Sequence, residues 1–169
     1  MKSKRHSIPP RLLAALCAGA MSTAVIASGS HAGGHGHAHG ATPTQTAIGE
    51  PGVADQVTRT LAVDMSDQMR FTPSDIRVRR GETVRFVIRN TGQLKHEFSL
   101  GTRQELAAHY ELMKKFPDMV HDEPNKVSLA PGEQGEVLWR FTRAGTVDFA
   151  CLYPGHYEAG MKGRVRVGK

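Results

Sequence analysis

The chain has 169 residues, 22 of them basic and 16 acidic, for a formal charge of +6. That length suits one domain better than two. Lys2, Lys4, Arg5 and Arg11 stand near the start with no acid among residues 1–32, and without that segment 18 basic residues face 16 acidic ones, a charge of only +2. No concentrated basic face remains, which excludes nucleic acid as a partner.

In chain order, the cationic start is followed by an apolar run from Leu12 to Ala27 and then by small residues, Ser30-His31-Ala32. Those are the parts of a secretory signal peptide. The competing reading is a membrane anchor, but the run is shorter than the roughly 20 apolar residues a span needs. The expectation is a signal peptide over 1–32, cut after Ala32 or after Ala27, with delivery to the periplasm and no membrane span after cleavage. Cys17 lies inside the apolar run after Leu16 and departs with it, leaving Cys151 as the sole cysteine.

Residues 33–56 begin Gly-Gly-His-Gly-His-Ala-His-Gly and continue in Ala, Thr, Pro, Gln and Gly. So little apolar surface does not offset conformational entropy, and the segment is expected to be a disordered His-rich tail. His35, His37 and His39 make it either a metal-capturing tract or a solvated linker.

The domain is expected over 57–169. Thr58 to Asp64 and Ile76 to Arg79 read as strands. Val84, Phe86 and Ile88 alternate with Arg85, Val87 and Arg89, the period of a strand with one face on a core. Asn90-Thr91-Gly92 is turn chemistry, and His96 to Leu100 is a short strand. From Arg103 to Phe116 there is neither Gly nor Pro, and Leu106, Tyr110 and Met113 recur at helical spacing. Thr102 caps that helix and Pro117 stops it. Strands follow at Val127 to Leu129, Val137 to Phe141, Val147 to Cys151 and Met161 to Val167, separated by Pro131-Gly132 and Ala144-Gly145. The fold class is all-β: an antiparallel Greek-key β-sandwich of seven or eight strands with one inserted helix.

The chemistry concentrates between Cys151 and Met161, spaced Cys-x4-His-x4-Met through His156. A lone cysteine in an exported chain is a buried inert residue, half of an intermolecular bridge, or a metal ligand. Its neighbours favour the last. Two imidazoles, one thiolate and a weak thioether are the donor set of a blue-copper site, whereas structural zinc more often takes several cysteines. His96, after the Asn90–Leu94 turn, is the best donor of the second imidazole.

On these residues, with the Val84–Ile88 strand, Phe98 after His96, Pro131-Gly132, and Gly155, Gly160 and Gly163, the chain resembles the cupredoxin family of type 1 copper proteins over residues 57–169. The resemblance implies one copper cycling between Cu(I) and Cu(II), with His96 and His156 as equatorial nitrogens, Cys151 as thiolate and Met161 as axial ligand. Phe98, Tyr153, Pro154 and Tyr157 are expected to wall the metal from water. Glu97 departs from the pattern, because many members carry Asn directly after the first ligand His.

A second group, Met65, Met69, His109, Met113, Met119 and His121, has donors suited to Cu(I). Against a second copper site stands the use of Met as core filler. The helical insertion and the His-rich leader resemble cupredoxins linked to periplasmic copper tolerance. Two functions follow: copper handling, with copper-exporting systems as partners, or mobile electron transfer to a redox partner protein of a respiratory chain. No arrangement typical of an enzyme stands out, apart from a catalytic Cys151–His156 pair that would leave His96 and Met161 unexplained.

Overall fold

The computed structural model describes residues 46–117 and 123–169. Two five-stranded sheets face each other, ordered β1-β8-β5-β2-β3 and β4-β10-β9-β6-β7. In chain order the strands are β1 (Glu50–Pro51), β2 (Arg59–Ser66), β3 (Arg70–Thr72), β4 (Asp75–Arg79), β5 (Thr83–Asn90), β6 (His96–Gly101), β7 (Lys126–Leu129), β8 (Gln134–Arg140), β9 (Gly145–Ala150) and β10 (Lys162–Gly168). Helix α1 (Arg103–Lys115) is inserted between β6 and β7.

Alternation builds the core. In β5, Val84, Phe86 and Ile88 are fully buried, and across the sandwich β6 and β9 contribute Phe98, Leu100 and Phe149. Phe98 and Phe149 lie 5.0 Å apart between ring centroids, Phe71 meets Phe149 edge-on at 5.1 Å, and Phe86 approaches Phe98 at 5.5 Å. Gly163 is glycine because a Cβ there would overlap the Phe149 ring.

Ten strands stand among the described residues where seven or eight were expected, the additional pairings including the short β1 and β3, and two further features differ from the sequence reading. The sheets are not wholly antiparallel: β2 runs parallel to β5, and β4 parallel to β10. A period of two places side chains on faces but carries no information about strand direction, which is set by where the chain crosses between sheets. Order also begins earlier than Val57. Thr46 and Gly49 form a bridge, Glu50 and Pro51 pair with Arg140 and Trp139, and the indole Nε1–H of Trp139 donates to the Ile48 carbonyl at 3.0 Å. One buried apolar residue, Ile48, and a few backbone bonds hold this stretch to the sheet edge, too little for composition to reveal.

The helix forms where the sequence places it. Thr102 accepts from the Glu105 N–H while the Glu105 carboxylate accepts from the Thr102 N–H, a reciprocal capping box. Leu106, Tyr110 and Met113 are its buried face and pack with Ala150 and Leu152. The helix therefore leans on the residues on either side of Cys151.

Phe86 touches the central aromatic cluster, away from the Cys151 loop. Phe86→Ala should lower unfolding free energy by about 3–5 kcal/mol, read by urea denaturation at an unchanged m-value. A loss below about 1 kcal/mol would contradict the packing described.

Candidate metal centre

Strands β6 and β9 are antiparallel neighbours, with Ser99 opposite Ala150 and Leu100 opposite Phe149. That register brings the start of β6 and the end of β9 to the same end of the sandwich. His96 opens β6, and Cys151 directly follows β9. The loop after Cys151 folds back on itself: the Cys151 N–H donates to the Met161 carbonyl, the Met161 N–H to the His156 carbonyl, and the His156 N–H to the Tyr153 carbonyl.

One donor atom from each of His96, Cys151 and His156 lies within 4.8 Å of the others. Cys151 Sγ is 3.4 Å from His156 Nδ1, and the two imidazole rings have centroids 4.9 Å apart. His96, Cys151 and Met161 are fully buried, and His156 is half-buried, so the cluster opens to solvent on the His156 side. Among the described residues this is the one grouping of His, Cys and acidic side chains with metal-sized spacing. Met161 sits in the same core cluster as Cys151.

A soft cation fits this pocket. His96 Nδ1 is a buried nitrogen with no hydrogen-bond partner, a costly arrangement unless a metal takes its lone pair. Burial pushes the Cys151 thiol up to about 12, and amide hydrogen bonds from Tyr153 and Glu97 only partly offset that rise. The Glu97 N–H donates to Sγ at 3.4 Å. His156 is held below its ordinary imidazole value by burial first and by the neighbouring His96 second. Without a cation the site therefore favours a neutral thiol and a neutral imidazole.

Glu97 is the departure noted in the sequence, and it has a structural role of its own. Its carboxylate accepts from Ser128 Oγ on β7 at 3.2 Å. Burial raises its pKa, while the Lys126 charge and this bond work the other way. The side chain thus ties β6 to β7, while the Glu97 backbone N–H reaches Cys151.

Sequence reasoning missed the residues that fix the His96 loop. Asn90 donates to the Leu94 and Leu129 carbonyls at 2.7 and 3.0 Å and accepts from the Gly92 N–H. Asp67, in the β2–β3 turn, accepts from the Gln93 and Leu94 N–H groups and lies 3.0 Å from His96 Nε2. Asn90 had a turn signature in the sequence; Asp67, 29 residues from His96, had none.

The expected walls divide. Phe98 is core, Tyr153 stands edge-on to His156 at 5.9 Å, and Pro154 is exposed. Tyr157 turns away to stack on Tyr110 of α1 at 4.7 Å. The described members of the second Met/His group stand in different places. Met65 is buried in the sandwich core with Met69 packed against it, whereas Met113 belongs to the separate cluster beneath α1. His109 lines a groove with Glu105, Glu123 and Trp139. Met119 and His121 lie outside the described residues, as do residues 1–32, where a signal peptide is expected, and His35, His37 and His39.

Comparison with known proteins agrees with the geometry. The chain is 48% identical over 164 residues to the copper-resistant cuproprotein CopI of Rubrivivax gelatinosus, spanning 97% of this chain and 99% of that one. It is 37% identical over 150 residues to the copper-resistant cuproprotein CopI of Pseudomonas aeruginosa, spanning 72% and 82%. The solved structure of auracyanin B superposes with a TM-score of 0.59 at 26% identity, over 70% of this chain and 95% of that one. A sequence model of copper binding proteins of the plastocyanin/azurin family matches residues 57–168, and the chain belongs to that family.

Proposed function

We propose that this protein binds a single copper ion through His96, Cys151, His156 and Met161 and serves copper resistance. The observation that carries the copper reading is the convergence of two imidazoles and a thiol within 4.8 Å, with His96 Nδ1 left without a partner. Resistance is favoured over electron carriage by the likeness to CopI proteins, which extends over 97% of this chain in one case and so takes in more than the copper-binding domain.

Each residue has a distinct part. Cys151 gives up its thiol proton to become the strong sulfur ligand. His96 and His156 offer nitrogens from two loops, one fully buried and one at the solvent face. Met161, held by backbone bonds to Cys151 and His156, would offer the weak thioether donor. Bound copper supplies a one-electron Cu(I)/Cu(II) couple. The chain's own work is to keep the donors in one geometry for both states, with Tyr153 packed beside His156 at the face that opens to solvent. We read the chain as a binding protein rather than an enzyme.

Residues 1–32 fit a cleaved export signal, which would place the mature chain in the periplasm, where copper-exporting systems deliver their cargo. No helix among the described residues is long and apolar enough to cross a membrane.

Three measurements test this reading. Purified protein titrated with Cu(II) should take up one equivalent and show an intense visible sulfur-to-copper band that Cys151→Ser abolishes; a band surviving in that variant would refute the ligand assignment. A strain lacking the gene should grow less well on copper, and the Cys151→Ser gene should not restore growth; unchanged tolerance, with rapid electron exchange with a cytochrome, would favour the carrier. The third concerns pH. Since the free thiol titrates near 12, it is protonated at neutral pH and copper must displace that proton. Apparent Cu(II) affinity, measured against a competing chelator, should rise about tenfold per pH unit between about pH 7 and 9 on account of it. A flat profile would mean that the thiol is not a ligand.

A further inference from the structure

We infer that Asp67 is a positioning residue of the copper centre: its carboxylate holds the Nε2–H of His96, which leaves Nδ1 as the metal-facing nitrogen and places a negative charge one imidazole away from the metal. This rests on the copper reading above and adds a residue, from a third loop, to it.

Three observations meet at Asp67. The first is geometric. Asp67 Oδ1 is 3.0 Å from His96 Nε2, and the opposite ring nitrogen, Nδ1, is buried and without a partner. An ionised carboxylate can only accept, so the hydrogen sits on Nε2 and the lone pair on Nδ1.

The second is the way the carboxylate is held. The Gln93 N–H donates to Oδ2 at 2.7 Å and the Leu94 N–H to Oδ1 at 3.2 Å. Asp67 therefore grips the loop that delivers His96 as well as the ring itself. The same β2–β3 hairpin reaches the other ligand loop through Arg70, whose Nη1 donates to the Ala159 carbonyl at 3.0 Å.

The third is a space kept free for it. A Cβ on Gly92 would overlap the Asp67 carboxylate. The loop passes so close to the aspartate that no side chain fits at position 92.

A carboxylate behind a metal-bound imidazole fixes its tautomer and orientation and raises its basicity, and losing such a partner typically costs about 10–100-fold in metal affinity. Negative charge beside the site also favours Cu(II) over Cu(I). Asp67 would thus shape both how tightly the centre holds copper and its reduction potential.

The test uses full-length mature protein, wild type and variants. In copper-free wild type, nitrogen NMR of the imidazoles should show His96 as the Nε2–H tautomer with slow proton exchange. Asp67→Ala should abolish that slow exchange and weaken Cu(II) binding about 10–100-fold. Asp67→Asn retains an oxygen for His96 and Leu94 but removes the charge; it should keep the slow Nε2–H and raise the reduction potential. Gly92→Ala, which displaces the carboxylate from the other side, should shift affinity in the same direction as Asp67→Ala. Far-UV circular dichroism checks that each variant folds, and Asp67→Asn supplies the answer if Asp67→Ala does not. Wild-type affinity in Asp67→Ala, an unshifted potential in Asp67→Asn, or a wild-type His96 protonated on Nδ1 would overturn the inference. Failure of the wild type to form the sulfur-to-copper band would overturn the copper reading instead; the tautomer measurement, made without metal, does not depend on it.

Discussion

The pairing of β6 with β9 is the constraint from which the site follows. His96 and Cys151 are 55 positions apart, and what brings them together is the register that sets Ser99 opposite Ala150. A slip of one residue would turn the inward side chains of either strand outward. Phe98 and Leu100 on β6 and Phe149 on β9 are fully buried, so the apolar core opposes that slip strongly. Metal-site geometry here is a by-product of core packing: the aromatic residues hold the strands, and the strand ends present the donors.

Once the strand ends are placed, loops complete the centre, and each is anchored by polar groups that burial makes costly to leave unpaired. Asn90 ties the His96 loop to β7 from within the sandwich. Glu97 reaches β7 through its carboxylate and Cys151 through its backbone N–H. Asp67 grips the His96 loop from the β2–β3 turn, and α1 backs Ala150 and Leu152. Rigidity of this kind suits a metal whose two oxidation states prefer different geometries, because donors fixed by the fold need not rearrange when the charge changes. It also accounts for Glu97 in a position where the sequence pattern suggested an amide. A carboxylate can accept from Ser128 on β7, with the Lys126 charge offsetting part of its burial.

What could be read from the sequence was local chemistry. The Val84-Phe86-Ile88 alternation, the Leu106-Tyr110-Met113 face and the Thr102 cap each express a period or an end rule within a few residues, and all three are present in the fold. The Cys-x4-His-x4-Met spacing was equally local, and His96 was singled out by its place after the Asn90–Leu94 turn at the start of a strand, with the family likeness agreeing. What escaped depended on partners far along the chain. The parallel pairing of β2 with β5 follows from crossovers between sheets, and the ordering of residues 46–56 from a sheet edge built by β8. Asp67 gave no signal because an aspartate in a Ser-Asp-Gln turn is ordinary until a loop 26 residues away closes over it. Of the Met/His group, weighed in the sequence against Met as core filler, Met65 and Met113 pack in two different apolar clusters.

X-ray absorption at the copper edge of the loaded protein addresses the donor set most directly. The account predicts one short copper–sulfur path together with scattering from two imidazole rings, the sulfur path disappearing in Cys151→Ser. A first shell of nitrogen and oxygen alone in the native protein would contradict it, since copper would then be held somewhere other than where His96, Cys151 and His156 converge.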